Sequence, residues 1–230
     1  MRYRFEYKYL ISAYTATLLK IRIKAIMRPD SHSGGTYIVN NLYLDDRYDN
    51  LYRAKYMGQF QRDKYRLRYY NNDMSFIRLE RKHKDGIMSY KETIPVSQEQ
   101  YMRIKAGDLE FIHEEIDPLW QKLSVLQKIR GLRPTAVYSY QREAYVYELG
   151  DVRFTFDSPP FCPEQDAVFG YDPLSCSYGK EDYSLLLEVK YTAFMPEIIK
   201  QLLNGLPLAH TGISKYCVAR ERGYLPYGKI

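Results

Sequence analysis

Short segments in which apolar and polar residues alternate recur along almost the whole chain. This alternation has the two-residue period of a β-strand that buries one face. The predicted strands cover residues 4–10, 37–44, 64–70, 76–84, 89–94, 135–148, 151–157 and 183–191. A chain with so many half-apolar strands is restricted to folds in which other elements cover the apolar faces.

Four predicted helices can cover those faces. Each begins at a capping residue or a proline and ends at a glycine or before a proline, within residues 12–27, 97–107, 117–131 and 196–205. Residues 158–180, which are rich in proline, glycine and serine, show no periodicity and are predicted to form a long loop. Because the 230 residues contain no linker or internal repeat, one domain is predicted over residues 1–230.

The polar faces of these strands are rich in arginine and lysine. In residues 64–70, alternation places Lys64, Arg66 and Arg68 on the side opposite Tyr65 and Leu67. Such faces are either the solvated side of an antiparallel sheet or the lining of an interior. The regular repetition of Arg and Lys, where a solvated face would carry Ser, Thr, Asn and Gln freely, favours an interior that binds an anion.

The predicted fold is therefore α+β, an antiparallel β-barrel with helices packed outside. A closed barrel of about eight strands has room inside for side chains or one ligand. An interior lined with uncompensated cations would be prohibitively costly, so a bound polyanion has to supply the counter-charge. Arginine binds phosphate through paired hydrogen bonds, and lysine adds point charges.

The overall charge agrees with an anionic partner. The chain has 34 Lys and Arg residues against 28 Asp and Glu residues, a net charge of +6 that is modest for a nucleic-acid-binding protein. Its three cysteines have no CxxC or zinc-ligand spacing. The amino terminus is unlike a signal peptide, and no segment is long enough to span a bilayer. We expect a cytoplasmic protein, for which a membrane-protein partner is compatible with the sequence.

Carboxylates on the basic faces need a separate explanation. Glu80 and Glu188 share their strand faces with lysine or arginine, and Glu6 lies between Arg4 and Lys8. Because a carboxylate repels phosphate, each one either pairs with a basic neighbour or holds a divalent cation against the phosphate. Both alternatives stay open for Glu6 and Glu80, whereas metal binding is favoured for Glu188.

A series of motifs spans nearly the whole chain in order. They are Glu6-Tyr-Lys-Tyr, Asn41-Leu-Tyr-Leu-Asp, Arg62-x-Lys-x-Arg-Leu-Arg-Tyr-Tyr, Leu79-Glu-Arg-Lys, Tyr140-x-Arg-x-Ala-Tyr, Val152-Arg-Phe-Thr-Phe-Asp, Leu186-Leu-Glu-Val-Lys-Tyr and Ser214-Lys-Tyr-Cys. By these motifs the chain resembles the VTC domain, the polyphosphate polymerase domain of the triphosphate tunnel metalloenzyme (CYTH-like) superfamily.

The resemblance implies a function and a set of site residues. It implies a tunnel of antiparallel strands that binds ATP and polyphosphate, uses Mn²⁺ or Mg²⁺, and transfers the γ-phosphoryl group of ATP to a growing polyphosphate chain. The catalytic residues it implies are Arg66, Arg68, Lys82, Lys91, Arg142 and Arg153. It further implies that Lys8, Tyr140 and Lys215 bind the substrate and that Glu188 holds the metal.

One motif departs from the superfamily. The amino-terminal ExExK pattern reads Arg4-x-Glu6-x-Lys8 here, so an arginine replaces one expected carboxylate. This departure argues against a two-metal hydrolase and fits the polymerase branch better. A metal-dependent triphosphatase on the same tunnel and a non-catalytic polyphosphate binder stay open as alternatives. Nucleic acid is not an expected partner, because most tyrosines lie on the face opposite the arginines and cannot stack bases beside them.

Overall fold

The computed structural model describes residues 4–30, 35–86, 88–162, 184–192 and 194–224. Their strands are β1 (Phe5–Ile11), β2 (Arg28–Pro29), β3 (Thr36–Asp45), β4 (Gln61–Tyr70), β5 (Asp73–Asp85), β6 (Met88–Val96), β7 (Arg133–Tyr147), β8 (Val152–Asp157), β9 (Leu185–Tyr191) and β10 (Ala209–His210). Their helices are α1 (Ala13–Lys24), α2 (Asn50–Tyr56), α3 (Gln98–Lys105), α4 (Pro118–Arg130), α5 (Glu197–Leu203) and α6 (Lys215–Glu221), with a 3₁₀ turn at Glu110–His113.

The predicted secondary structure is confirmed in kind and in order. The eight predicted strands are β1 and β3 to β9, and the four predicted helices are α1, α3, α4 and α5, with ends that move by a few residues. The short strands β2 and β10 and the helices α2 and α6 are additional. The loop predicted at 158–180 lies mostly outside the described residues. No helix in the described part of the chain is both long and apolar enough to cross a bilayer.

Capping residues set the starts of the helices as the sequence predicted. The Ser12 hydroxyl accepts a hydrogen bond from the Thr15 amide at 3.1 Å. In α3 the bonds are reciprocal, since the Ser97 hydroxyl accepts from the Gln100 amide while the Gln100 side chain accepts from the Ser97 amide. These bonds satisfy amides that have no partner within the first turn of a helix.

The described chain divides into two compact units. Residues 1–38 and 140–215 form the first unit, and residues 39–139 and 216–230 form the second. The strands β3 and β7 contribute residues to both units. Each unit has a hydrophobic core of its own.

In the first unit the hydrogen-bonded strand order is β10-β1-β9-β8-β7, and β2 pairs with β7. The strand pairs are antiparallel. One face of these strands is apolar and packs against α1 and α5. The core between this face and the two helices includes the fully buried residues Leu19, Ile23, Phe154, Leu187, Val189 and Ile199. The alternate residues of β1, β8 and β9 therefore lie on the opposite face.

In the second unit the strand order is β7-β3-β4-β5-β6. The pairs β3–β4, β4–β5 and β5–β6 are antiparallel. Their apolar face packs against α3, α4 and the 3₁₀ turn, with a core that includes Leu42, Leu67, Leu79, Ile104, Ile112 and Leu123. The predicted α+β class, with antiparallel strands and helices on the apolar faces, is confirmed. The closure of the strands into a barrel stays a prediction.

The core of the second unit yields a stability prediction. Leu67→Ala should lower the free energy of unfolding by about 2–5 kcal/mol, because it removes buried methyl groups and leaves a cavity. Leu67 has no solvent exposure, whereas Ile129 is 70% exposed and provides the matched control. We expect Ile129→Ala to stay within about 0.5 kcal/mol of the wild type in chemical denaturation. Equal effects of the two substitutions would contradict the assignment of Leu67 to the core.

Candidate functional site

Each unit carries one cluster of charged side chains on the strand faces opposite its core. The first cluster, in the first unit, consists of Lys8, Tyr140, Arg142, Asp157, Glu188, Lys190 and Lys215. The second cluster, in the second unit, consists of Asn41, Tyr43, Lys64, Arg66, Arg68, Glu80, Lys82 and Lys91. Alternation along the strands brings the strand residues of each cluster to one face. Lys215 is the exception, since it is the first residue of α6.

Glu188 is the acidic centre of the first cluster. Its side chain is 6% exposed, and its oxygens lie 2.7 Å from Lys190 Nζ and 2.8 Å from Lys215 Nζ. Lys8 Nζ lies at 3.5 Å and Arg142 Nη2 at 3.8 Å. Burial favours the neutral carboxyl group, but the four cations outweigh it and hold the pKa of Glu188 well below its usual value. Glu188 is therefore ionised at neutral pH.

Asp157 is a second acidic residue of this cluster, which the sequence pattern placed on a polar face without assigning it a role. Its side chain has no solvent exposure. It accepts two hydrogen bonds from Arg142, at 2.6 and 2.7 Å, and a third from Lys215 Nζ at 2.7 Å. Lys215 therefore bridges Asp157 and Glu188. Burial raises the pKa of Asp157, but Arg142 and Lys215 reverse the shift and lower it.

The basic residues of the first cluster stay protonated for the same reason. Burial alone would lower the pKa of Lys8, yet Glu188 and Glu6 raise it above its usual value. Asp157 and Glu188 do the same for Lys215, and they raise the pKa of Arg142 further still. The charges of this cluster are thus fixed by mutual pairing, and they do not depend on solvent.

The aromatic ring of Tyr140 packs against two of these cations, Arg142 and Lys215. Its side chain is almost completely buried, and its ring centroid lies 5.2 Å from the Arg142 guanidinium carbon and 4.8 Å from Lys215 Nζ. The negative face of an aromatic ring attracts such cations. Tyr140 was expected to contact the substrate, and its placement shows direct contact with the two predicted phosphate ligands.

Arg153 lies on β8 and has partners of its own. Its guanidinium group pairs with Asp30 at 2.6 Å and donates to the Tyr37 hydroxyl at 3.1 Å. In the β8–β9 ladder Arg153 is the register partner of Lys190, so its side chain starts on the same face as the first cluster. Asp30 is buried and belongs to the short strand region that the sequence did not predict.

The residues around Glu188 fit a divalent cation that is held jointly with phosphate. Thr155 is the register partner of Glu188 in the β8–β9 ladder, and its hydroxyl oxygen is buried with no hydrogen-bond partner among the described atoms. A carboxylate and a hydroxyl are the hard oxygen donors that Mg²⁺ and Mn²⁺ prefer. Within the described ranges, no group of three or more His, Cys, Asp and Glu side chains forms a preformed metal cage. Glu188 and Thr155 would therefore contribute few ligands, and phosphate and water the rest.

Glu80 is the acidic centre of the second cluster. Its oxygens lie 2.6 Å from Arg66 Nη2, 2.9 Å from Lys91 Nζ and 3.9 Å from Arg68 Nη1. Burial favours the neutral carboxyl group, but Arg66, Arg68 and Lys91 hold the pKa of Glu80 well below its usual value. Of the two explanations left open for Glu80, these contacts match pairing with basic neighbours.

The remaining members of the second cluster follow from strand register. Lys82 lies opposite Lys64 on β4 and opposite Lys91 on β6. Asn41 lies opposite Arg68, and its side-chain oxygen accepts two hydrogen bonds from that guanidinium group, both at 3.2 Å. Asn41 is buried and fixes the orientation of Arg68, a role the motif Asn41-Leu-Tyr-Leu-Asp had not suggested.

The expected site residues therefore fall into two groups. The first unit brings together Lys8, Tyr140, Arg142, Glu188 and Lys215, with Arg153 on a neighbouring position of the same face. The second unit brings together Arg66, Arg68, Lys82 and Lys91. No role was predicted for Asp157, Asn41 or Asp30, although each occupies an alternating strand position or follows a strand.

Asp157 yields a second stability prediction. Asp157→Asn should lower the free energy of unfolding by about 3–5 kcal/mol at neutral pH, because it removes one of the two buried carboxylates that compensate Arg142 and Lys215 and leaves only Glu188. The matched control is Asp151→Asn, since Asp151 forms an exposed ion pair with Arg4 and has a positive φ that asparagine tolerates. We expect the control to change stability by less than about 1 kcal/mol in chemical denaturation.

The difference in stability between the wild type and Asp157→Asn should become smaller at acidic pH. A carboxylate whose folded pKa is lowered stabilises the protein above its unfolded pKa of about 4, and that contribution is lost as the pH falls. The wild type should therefore approach the stability of Asp157→Asn as the pH is lowered through about 4. A gap between the two proteins that stays constant down to acid-induced unfolding would contradict the ionised state of Asp157.

Comparisons with known proteins identify the family and the fold of this chain. A family model of the VTC domain matches residues 3–224 of the chain. No curated protein sequence matches the chain significantly. A candidate adenylyl cyclase from Hippeastrum, whose structure was described with a dominant triphosphatase activity, is 16% identical, with a TM-score of 0.61 over 98% of this chain and 97% of its own.

Two bacterial structures are similar over almost the same length. A candidate adenylate cyclase from Vibrio parahaemolyticus is 10% identical, with a TM-score of 0.52 over 94% of this chain and 97% of its own. One from Bacillus halodurans is 16% identical, with a TM-score of 0.51 over 93% and 94%. At such low identities these likenesses show a shared fold only. The family model, in contrast, covers almost every residue, and the chain belongs to the VTC domain family.

Proposed function

We propose that this chain is a polyphosphate polymerase that transfers the γ-phosphoryl group of ATP to the end of a growing polyphosphate chain. The observation that carries the proposal is the excess of cations on the charged strand faces. In the second cluster Lys64, Arg66, Arg68, Lys82 and Lys91 accompany one carboxylate, Glu80. A face with this composition is suited to a ligand that carries several negative charges close together.

The chemistry of phosphoryl transfer fits such faces. The reaction requires little covalent participation by the protein, because positioning and charge stabilisation supply most of the rate enhancement. The terminal phosphate of the polymer is already ionised, so no strong general base is needed. In the second unit, Arg66 and Arg68 hold oxygens of the transferred phosphoryl group. Lys82 and Lys91 neutralise the charge that develops on the ADP leaving group as the bridging bond breaks.

In the first unit, Arg142, Lys8 and Lys215 bind phosphate and Arg153 adds a further guanidinium group. Tyr140 and Asp157 position Arg142 and Lys215 through the contacts described above. A divalent ion at Glu188 would supply a Lewis acid that draws charge from the phosphate oxygens. Glu188 would hold this ion while Lys190 and Lys215 remain next to its oxygens.

A triphosphatase is the main alternative. The similar structure from Hippeastrum is described as having a dominant triphosphatase activity, and hydrolysis would use the same phosphate-binding residues with water as the acceptor. A non-catalytic binder of polyphosphate is the second alternative. The polymerase is preferred because Arg4 replaces one carboxylate of the amino-terminal ExExK motif, which leaves fewer metal ligands for a two-metal hydrolase.

Product analysis distinguishes these functions. Purified protein is incubated with ATP and Mn²⁺ or Mg²⁺, and the phosphate products are separated by length. The polymerase should produce long phosphate polymer together with ADP. Free phosphate or pyrophosphate alone would establish the triphosphatase instead, and binding of tripolyphosphate without turnover would establish the binder.

Glu188→Gln tests the metal assignment. The amide keeps the size of the carboxylate but removes its charge, so metal-dependent turnover should fall by at least about 100-fold. Tripolyphosphate binding without metal should be retained, since no cation is lost. The matched control is Glu197→Gln on α5, which removes an exposed carboxylate and should leave turnover unchanged. Turnover that survives in Glu188→Gln would refute the assignment.

Arg66→Gln tests the phosphate-binding role of the second cluster. Losing one charge-assisted hydrogen bond costs about 1.5–3 kcal/mol, so the Kd for tripolyphosphate should rise about 10- to 100-fold. The affinity is measured by calorimetry at constant ionic strength, because salt screens such interactions. Lys128→Gln removes an exposed cation from α4 and should change Kd less than about twofold. Equal changes in the two variants would indicate binding by net charge alone.

A further inference from the structure

Tyr43 is a member of the second cluster that the proposed reaction does not use. It belongs to the motif Asn41-Leu-Tyr-Leu-Asp and lies directly opposite Arg66 in the β3–β4 ladder. Its hydroxyl oxygen accepts a hydrogen bond from Arg66 Nη1 at 3.0 Å, while the Nε and Nη2 atoms of Arg66 face Glu80. The Tyr43 hydroxyl is thus a neighbour of the guanidinium group expected to hold phosphate.

The ring of Tyr43 is held rigidly between two other tyrosines. Its centroid lies 4.6 Å from that of Tyr216 and 5.7 Å from that of Tyr138, with interplanar angles of 14° and 11°. Tyr43 is 5% exposed, so the stack leaves its hydroxyl little freedom to turn away. The Tyr216 hydroxyl, in contrast, donates to the Asp45 carboxylate at 2.8 Å and is committed to that bond.

The electrostatic surroundings of Tyr43 differ from those of the other described tyrosines. Burial raises its pKa, but Arg66, Lys64 and Arg68 together outweigh burial and bring the pKa down to about 8. On the apolar face of the same strands, burial raises the pKa of Tyr65 to about 12. Tyr43 therefore has an ionisable hydroxyl close to physiological pH.

The groups that face Tyr43 come from each neighbouring element. Strand β4 presents Lys64, Arg66 and Arg68, and β5 presents Glu80 through its ion pairs with Arg66 and Arg68. The other neighbours are Tyr138 of β7 and Tyr216 of α6, whose rings stack on Tyr43, and the Tyr138 side chain also forms a hydrogen bond with Tyr43. Arginine and lysine stay charged throughout the neutral range, and the lowered pKa of Glu80 keeps it ionised. Tyr43 is accordingly a group of this set whose charge changes near neutral pH.

We propose that the protonated Tyr43 hydroxyl is a further phosphate ligand, which donates a hydrogen bond to the anion held by Arg66 and Arg68, and that its ionisation weakens anion binding. This inference rests on the phosphate-binding part of the proposed function and is independent of whether the chain polymerises or hydrolyses. A neutral phenol adds a donor beside two guanidinium groups. A phenolate is itself an anion, which repels phosphate and competes with it for Arg66.

The proposal requires that binding and protonation be linked. An anion near Arg66 offsets the cations that favour the phenolate, so it raises the pKa of Tyr43. Above about pH 8, binding therefore takes up one proton, and the affinity falls about tenfold for each further pH unit. The terminal phosphates of tripolyphosphate also titrate in this pH range, but this contribution is common to the wild type and Tyr43→Phe, so the difference between the two proteins isolates Tyr43.

The test compares tripolyphosphate binding by the wild type and Tyr43→Phe between about pH 7 and pH 9.5. At pH 7 the variant should bind about two- to tenfold more weakly, because it lacks the donated hydrogen bond. Above about pH 8, the wild type should lose affinity relative to Tyr43→Phe, and calorimetry with two buffers should show that it takes up more protons on binding than the variant does. Tyr90→Phe is the matched control, since the Tyr90 hydroxyl also accepts from an arginine, Arg81, outside the second cluster.

A second measurement needs no variant. Ultraviolet titration should reveal one tyrosine of the free wild-type protein that ionises near pH 8, and saturating tripolyphosphate should move this midpoint upward. If Tyr43→Phe keeps the pH dependence of the wild type, or if the phenolate midpoint ignores the anion, the inference is wrong. If the wild type fails to bind tripolyphosphate at all, the proposed function is wrong as well, so the two failures are distinguishable.

Discussion

Counter-charge for buried cations is the constraint on which the rest of this structure depends. Arg68, Arg142 and Lys215 are each less than 10% exposed, and a cation removed from water is tolerated only when an anion replaces its hydration. Asp157 and Glu188 serve this purpose in the first cluster, and Glu80 serves it in the second. Carboxylates are unexpected next to a phosphate-binding site, because they repel phosphate. Here they neutralise the buried cations, so the basic strand faces are stable when no phosphate is bound.

The same pairing prepares the clusters to accept an anion. The cations are already oriented and protonated, because the pKa values of Lys8, Arg142 and Lys215 are raised and those of the facing carboxylates are lowered. A phosphate that reaches these groups exchanges one set of ion pairs for another and does not have to organise free side chains. Preorganised charge of this kind is the main protein contribution to phosphoryl transfer.

The helices make such faces available by covering the opposite side of the strands. In the first unit α1 and α5 bury the apolar face, and in the second unit α3 and α4 do so. With the apolar residues of each strand already buried, the alternate residues are free to carry charge. The division between core and charged face therefore follows from the pleat of the strands, and membership of the VTC domain family adds the expectation of a phosphate ligand.

The sequence by itself determined the strands, the capped helices and the identity of each face, because these depend on periods of two residues and on neighbours within one turn of a helix. Alternation was sufficient to place Arg66 and Arg68 on one side and Leu67 on the other. It was also sufficient to predict α3, whose capping box involves residues three positions apart.

Only the tertiary structure decided how the charges are paired. Lys215 bonds to Asp157 and Glu188, which lie 58 and 27 positions away, and no local pattern encodes such contacts. Helix α2 was missed for a related reason, since carboxylates at the end of β3, including Asp45, bind the amides at its start. The perturbed hydroxyl of Tyr43 likewise arises because three strands bring Lys64, Arg66 and the Tyr138 ring to one place. The two-residue alternation along a strand determines on which face of the sheet a side chain lies. The register between strands that are distant in the sequence determines which residue it contacts there.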